Sequence, residues 1–280
     1  MATPDLRPMS LGELLDRSFS LYRSHFWTFV GIMAVPQLLI LAVGLITTPI
    51  TQGTSTRSSS GAITAAGAIL IGALVMLVAY LVTYGAAQAA TTFAVSELYL
   101  GRSTNVRQAY ARVHGKIGRM ILVLFLMYVL ILGGFILLVI PGIWVGLRTC
   151  VAIPAAMLEN LAARPSVGRS IRLTERSAGR AFLIFLLVIF ITWVASLVFE
   201  LPIGILSVVY HKEPVVLLLL SQLRHIGTFL AGTLVGPLGP IAFVLLYYDL
   251  RVRKEAFDLQ LMMVNLDQTP AAAAPGVAPA

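Results

Sequence analysis

The feature that most limits how this chain folds is a set of long stretches almost without charge. They run over about 26–48, 62–96, 118–139, 141–158, 181–209 and 226–249. A helix needs about 20 apolar residues to cross a hydrocarbon core of ~30 Å. Most of these runs reach that length, and they are continuous rather than alternating, so a β-barrel is excluded. Only 11% of the chain is charged and 58% is hydrophobic. A soluble domain carries about 25% charged residues, so most of this surface does not face water. The expected class is all-α: a polytopic membrane helical bundle with six transmembrane helices arranged as three hairpins.

Each hairpin is expected to follow a short basic amphipathic helix. The three helix starts are Ser10-Leu11-Gly12-Glu13, Asn105-Val106-Arg107-Gln108 and Ser166-Val167-Gly168-Arg169. Each opens on an N-cap residue, and apolar positions then recur at helical spacing. Ser10 with Glu13 has the capping-box pattern, and Asn105 with Gln108 is a weaker version.

Charge then fixes orientation. The segments before the first run, after the second, after the fourth and after the sixth hold 16 of the 20 lysines and arginines. The opposite side holds Arg57, Lys212 and Arg224. The positive-inside rule therefore puts both termini in the cytoplasm, which requires an even number of crossings. The net charge of +8 fits loops facing anionic lipid, and no nucleic-acid motif is present. No cleavable signal peptide is expected, because the first run is long enough to stay as a span. Residues 1–268 form a single membrane domain in this reading. Pro49 to Gly61 is a polar loop, 139–142 is a tight turn, and 269–280, nearly all Ala, Pro and Gly, is a disordered tail.

On a helical wheel Arg169, Arg172, Arg176 and Arg180 fall in one sector, opposite Val167, Ile171, Thr174 and Ala178. Arg112, Lys116 and Arg119 cluster against Ala109, Tyr110, Val113 and Ile117. In the first helix Leu11, Leu14, Leu15, Phe19 and Tyr22 share a face. These arginines and Lys116 are candidate contacts for anionic phospholipid headgroups. A helix packed under the bundle, with a purely structural role, is the competing reading.

Arg148, in Trp144-Val145-Gly146-Leu147-Arg148, stands within the fourth run. A mid-span charge costs at least about 2.5–3.5 kcal/mol, so it needs water or a partner. Glu97, Glu159, Glu200 and Asp249 are the candidate partners, and the group forms a candidate intramembrane polar site. Pro36, Pro141, Pro154, Pro202, Pro237 and Pro240 each free a carbonyl or kink a helix. Gly142-xxx-Gly146 and Gly232-xxx-Gly236 are small-residue packing motifs. No HExxH, CxxC, GxSxG or P-loop occurs, and no acid pair suggests hydrolysis. No cofactor or metal is called for, and the lone Cys150 reads as a small apolar residue.

The opening Leu11-Gly12-Glu13-Leu14-Leu15-Asp16-Arg17-Ser18-Phe19 through Tyr22-Arg23 and His25-Phe26 resembles the glycerophosphoryl diester phosphodiesterase membrane-domain family. So do Ile140-Pro141-Gly142-Ile143-Trp144 and the close from Pro240 through Tyr247-Tyr248-Asp249-Leu250-Arg251. The resemblance implies a bacterial multi-helix bundle found beside, or fused to, a phosphodiesterase barrel. No stretch outside the apolar runs is long enough for that barrel. The expected function is therefore a non-catalytic multi-pass inner-membrane protein that binds anionic lipid or partners a lipid-processing enzyme. The alternative is a transporter or channel with Arg148 in an anion path.

Overall fold

The structure is a computed structural model that describes residues 7–54 and 62–256. Among these residues the chain forms eleven helices and no strand. In order they are α1 (Leu11–Ser24), α2 (Phe26–Thr54), α3 (Ala62–Tyr99), α4 (Val106–His114), α5 (Ile117–Leu137), α6 (Val139–Thr149), α7 (Ala152–Leu158), α8 (Ala163–Thr174), α9 (Ala178–Val209), α10 (Pro214–Val235) and α11 (Leu238–Glu255). Six segments built from α2, α3, α5, α6–α7, α9 and α10–α11 are long and apolar enough to cross a membrane. The molecule is an all-α apolar bundle of the kind that polytopic membrane proteins form.

Three short helices, α1, α4 and α8, precede α2, α5 and α9, as the recurring unit predicts. Both capping boxes are present: Ser10 with Glu13, and Asn105 with Gln108. The third differs. α8 begins one turn earlier, at Ala163, and Ser166 is buried with its hydroxyl donating to Ala162 O at 2.6 Å. α8 also ends at Thr174, and Arg176 takes a left-handed backbone with φ 61°. Arg180 therefore belongs to α9, and the four arginines do not share one helical face. The hydroxyls of Ser170 and Thr174 fasten the end of α8 to Arg148 O, and the chain must turn there to enter the bundle.

Other boundaries shift for identifiable reasons. α2 continues through Pro49 to Thr54, so the first part of the expected polar loop is helical. The remainder, 55–61, lies outside the described residues, as do Phe257, Leu261, Val264 and the 269–280 tail. The turn at the tip of the third run is Leu138; Val139–Gly142 already belongs to α6, with Pro141 in its first turn, where a missing N–H costs nothing. The fourth run breaks into α6 and α7 at Cys150–Val151. There Pro154 withdraws the N–H that would bond Cys150 O. The sixth run is two helices, α10 and α11, separated at Gly236-Pro237.

Burial is uneven along the bundle. The second half of α3, from Ala87 to Glu97, α7 from Ala152 to Met157, and nearly all of α11 are largely buried together. Small side chains make this possible: Ala87, Ala89, Ala90 and Ala94 of α3 let helices approach closely. Tyr248 of α11 stacks on Tyr99 at 5.3 Å and shares a 2.8 Å hydrogen bond with Ser96. The other ends of α2, α3, α5, α6, α9 and α10 leave large apolar side chains exposed, as lipid-facing helices do.

Two tyrosines tie the short helices to broken backbone in the long ones. Pro36 has no N–H, so Ile32 O loses its helical donor. Tyr110 of α4 donates to that carbonyl at 2.7 Å. Tyr22 of α1 donates to Leu234 O, exposed by the α10–α11 break, at 2.6 Å. Burial of its ring pushes the Tyr22 hydroxyl up to about 12.

Candidate functional site

The buried end of the bundle is also its arginine-rich end, and its carboxylates are used structurally. Asp249 of α11 is fully buried. It accepts from Met9 N at 2.8 Å, Arg180 Nη1 at 2.7 Å and Arg253 Nε at 3.0 Å. One side chain thus joins the start of α1, the start of α9 and the end of α11. Glu159 accepts from Arg169 Nε at 2.9 Å and from Tyr247 Oη at 2.7 Å. Arg169 also pairs with Glu255, so its guanidinium lies between two carboxylates at 19% exposure. Glu97 takes Arg112 and, at 3.6 Å, Arg102.

These pairings divide the candidate headgroup contacts. Arg112, Arg169 and Arg180 hold buried or half-buried acids. Arg119 donates to Asn160. Lys116 lies over the Phe93 ring at 4.9 Å; burial pulls its pKa below the ordinary lysine value, and Arg119 and Arg112 add repulsion. Arg112 and Arg119 stand on either side of the α4–α5 turn that holds Lys116, not on one helical face. Arg172 and Arg176 remain exposed. With Arg17, Arg23, Arg107 and Arg164 they make six exposed arginines whose side chains have no hydrogen bond or ion pair among the described residues.

Arg148 meets none of its four candidate partners. It sits at the end of α6, stacked 5.1 Å from the Trp144 ring, and donates to Ile171 O of α8 at 3.2 Å. Glu97, Glu159 and Asp249 are taken by the arginines above. Glu200 of α9 faces Arg224 at 3.6 Å and Thr228 at 3.2 Å on α10, far along the bundle. The five residues therefore do not form one site. Sequence spacing could reveal only the Arg253–Asp249 pair, four residues apart on α11; Arg112, Arg169, Arg180 and Arg224 come from other helices than the acids they hold.

A cavity of about 340 Å³ lies between α3, α5, α6, α9 and α11. Its walls include Leu124, Ile131, Phe185 and Phe243, with Tyr84, Gln88 and Tyr128 as polar exceptions. Gly146 opens on it, and a methyl group there would meet nothing within 4 Å, whereas Gly142 packs on Phe135. Arg148 is not among its walls. Among the described residues no three of His, Cys, Asp or Glu gather as metal ligands would. No family model, curated protein or solved structure matches this chain.

Proposed function

We propose that this chain is a non-catalytic multi-pass protein of the cell membrane whose arginine-rich end faces the cytoplasm and holds anionic phospholipid headgroups. The observation that carries this reading is the set of six exposed arginines without acidic partners, all on α1, α4, α8 and the turn that follows. Each basic side chain near an anionic surface contributes about 1 kcal/mol. Their concentration at one end supports cytoplasmic termini through the positive-inside rule. The resemblance to the glycerophosphoryl diester phosphodiesterase membrane-domain family supports a role beside a lipid-processing enzyme. It gives no support for phosphodiesterase chemistry in this chain.

The transport alternative needs Arg148 in an anion path. Its guanidinium turns instead to Trp144 and α8, away from the cavity. The lipid reading is tested with the full chain in bilayers containing spin-labelled phosphatidylglycerol or phosphatidylcholine. Wild type should immobilise the anionic lipid preferentially, and Arg164→Gln/Arg172→Gln/Arg176→Gln should lose at least fivefold of that preference. Arg224→Gln, at the other end, should lose none. Equal association of both lipids with wild type rejects the proposal.

A further inference from the structure

The three hairpins do not end alike. The turn between α9 and α10 is Tyr210-His211-Lys212-Glu213, and the segment joining α2 to α3 is rich in Ser and Thr. The α5–α6 tip has neither charge nor polarity. From Met120 to Leu147 the sequence holds no charged residue and no Ser, Thr, Asn, Gln or His. At the tip Ile136, Leu137, Leu138, Val139 and Ile140 are all exposed, Ile140 at 80%. Such a tip in water would be an aggregation site.

We propose that the α5–α6 hairpin is re-entrant: it enters the bilayer from the arginine-rich end, turns among acyl chains, and returns without crossing. The inference rests on the membrane placement of the bundle and not on lipid-headgroup binding. Reach supports it. Phe185 of α9 lines a cavity whose α5 wall runs from Leu124 to Phe135, so it faces α5 within that stretch, with Tyr128 near its middle. From there α5 rises about 14 Å to Leu137 at ~1.5 Å per residue. α9 rises about 22 Å to Glu200, the first charge it meets, and about 36 Å to Val209. Even measured from Leu124, where α5 rises about 20 Å to its end, the tip stops short of the Glu200–Arg224 pair and well short of the Lys212 turn.

Part of the backbone at the tip is satisfied internally. Leu138, the one residue between the helices, donates to Gly134 O at 3.1 Å and accepts from Gly142 N at 3.3 Å. Pro141 brings no N–H to the first turn of α6. The Val139 and Ile140 N–H groups find no backbone acceptor among the described residues, which sets the cost of holding this turn in hydrocarbon.

The same placement accounts for Arg148. It lies about 15 Å from Leu138 along α6. A tip at the far surface would put this cation near the bilayer centre with no carboxylate. A tip near the midplane puts it at the near interface, where its bond to α8 places it.

The test uses the full chain in proteoliposomes with single spin labels at Leu138→Cys and Lys212→Cys, in a Cys150→Ala background. Power-saturation accessibility to oxygen and to a water-soluble nickel chelate reads depth. The expected result is high oxygen and minimal nickel accessibility at 138, with the reverse at 212. Nickel accessibility at 138 matching that at 212 shows a crossing and overturns the proposal. Low accessibility to both reagents shows a tip covered by protein and also overturns it. A label-free version compares unfolding midpoints: Leu138→Lys should lower the midpoint sharply and Tyr210→Lys should not, and an unchanged Leu138→Lys midpoint counts against re-entry.

Discussion

Replacing Asp249 by Asn removes one charge and keeps the side chain's shape. The amide oxygen can still accept from Met9 N, so the start of α1 keeps one bond. Arg180 and Arg253 lose their anion. Their side chains are 31% and 35% exposed, so each keeps some water. Breaking a wholly buried pair costs about 3–5 kcal/mol, and a hydrogen bond to a charged group is worth about 1.5–3 kcal/mol. Two half-exposed arginines facing one buried acid therefore give an expected loss of about 2–4 kcal/mol. The assay is equilibrium unfolding in mixed micelles, followed by tryptophan fluorescence. Arg224→Gln serves as the reference, because its pair with Glu200 is 3.6 Å long and its side chain is 66% exposed; it should cost less than about 1 kcal/mol. An Asp249→Asn protein within about 0.5 kcal/mol of wild type, the usual neutral range, would refute the view that this carboxylate joins three helices.

Tyr110→Phe removes the donor from Ile32 O and should cost about 1–3 kcal/mol; the loss should shrink when Pro36→Ala restores the helical donor, and a strictly additive double mutant would disprove the link. Gly134→Ala places a methyl 2.8 Å from Gly142 Cα, against backbone, and should destabilise by about 1–3 kcal/mol in a thermal melt; Gly133→Ala, with nothing within 4 Å, should cost far less. The Ser10 backbone N–H and then Arg7 hold Glu13 down to about 2 from its ordinary 4.5. A depressed acid stabilises fully above the ordinary value and stops as pH falls through its folded value, so amide protection at the start of α1 should decay between pH 4.5 and about 2; a carboxyl titration midpoint at 4.5 would contradict this.

Element type is legible wherever a local signal exists. The capping boxes at Ser10 and Asn105 mark helix starts, and the apolar runs mark the long segments. Local signals fail where distant groups decide the outcome. Nothing near Arg176 announces a left-handed turn, although α8 ends where Ser170 and Thr174 bond Arg148 O across the fold. Arg148 itself reads as central in a span because α6 and α7 read as one helix. The apolar stripe puts Phe19 on the inner face of α1, yet Phe19 is exposed, and Ser18 is buried one turn after Leu14. The grouping of Arg112, Lys116 and Arg119 on one face assumes a continuous helix, and Gly115 and Lys116 break the helix between them. Spacing shows only the i,i+4 pairs of α11, Arg251 with Glu255 and Arg253 with Asp249; the rest of the division into paired and exposed arginines depends on where Glu97, Glu159, Glu255 and Asp249 arrive from.

The helix with the most enclosed side chains, α11, is also the last described element to leave the ribosome. Its neighbours α1, α3, α7, α8 and α9 must wait beside an unfilled axis until translation reaches Leu238. Insertion of the earlier segments therefore precedes consolidation, and a nascent chain stalled before Gly236 would hold membrane helices with nothing to close around.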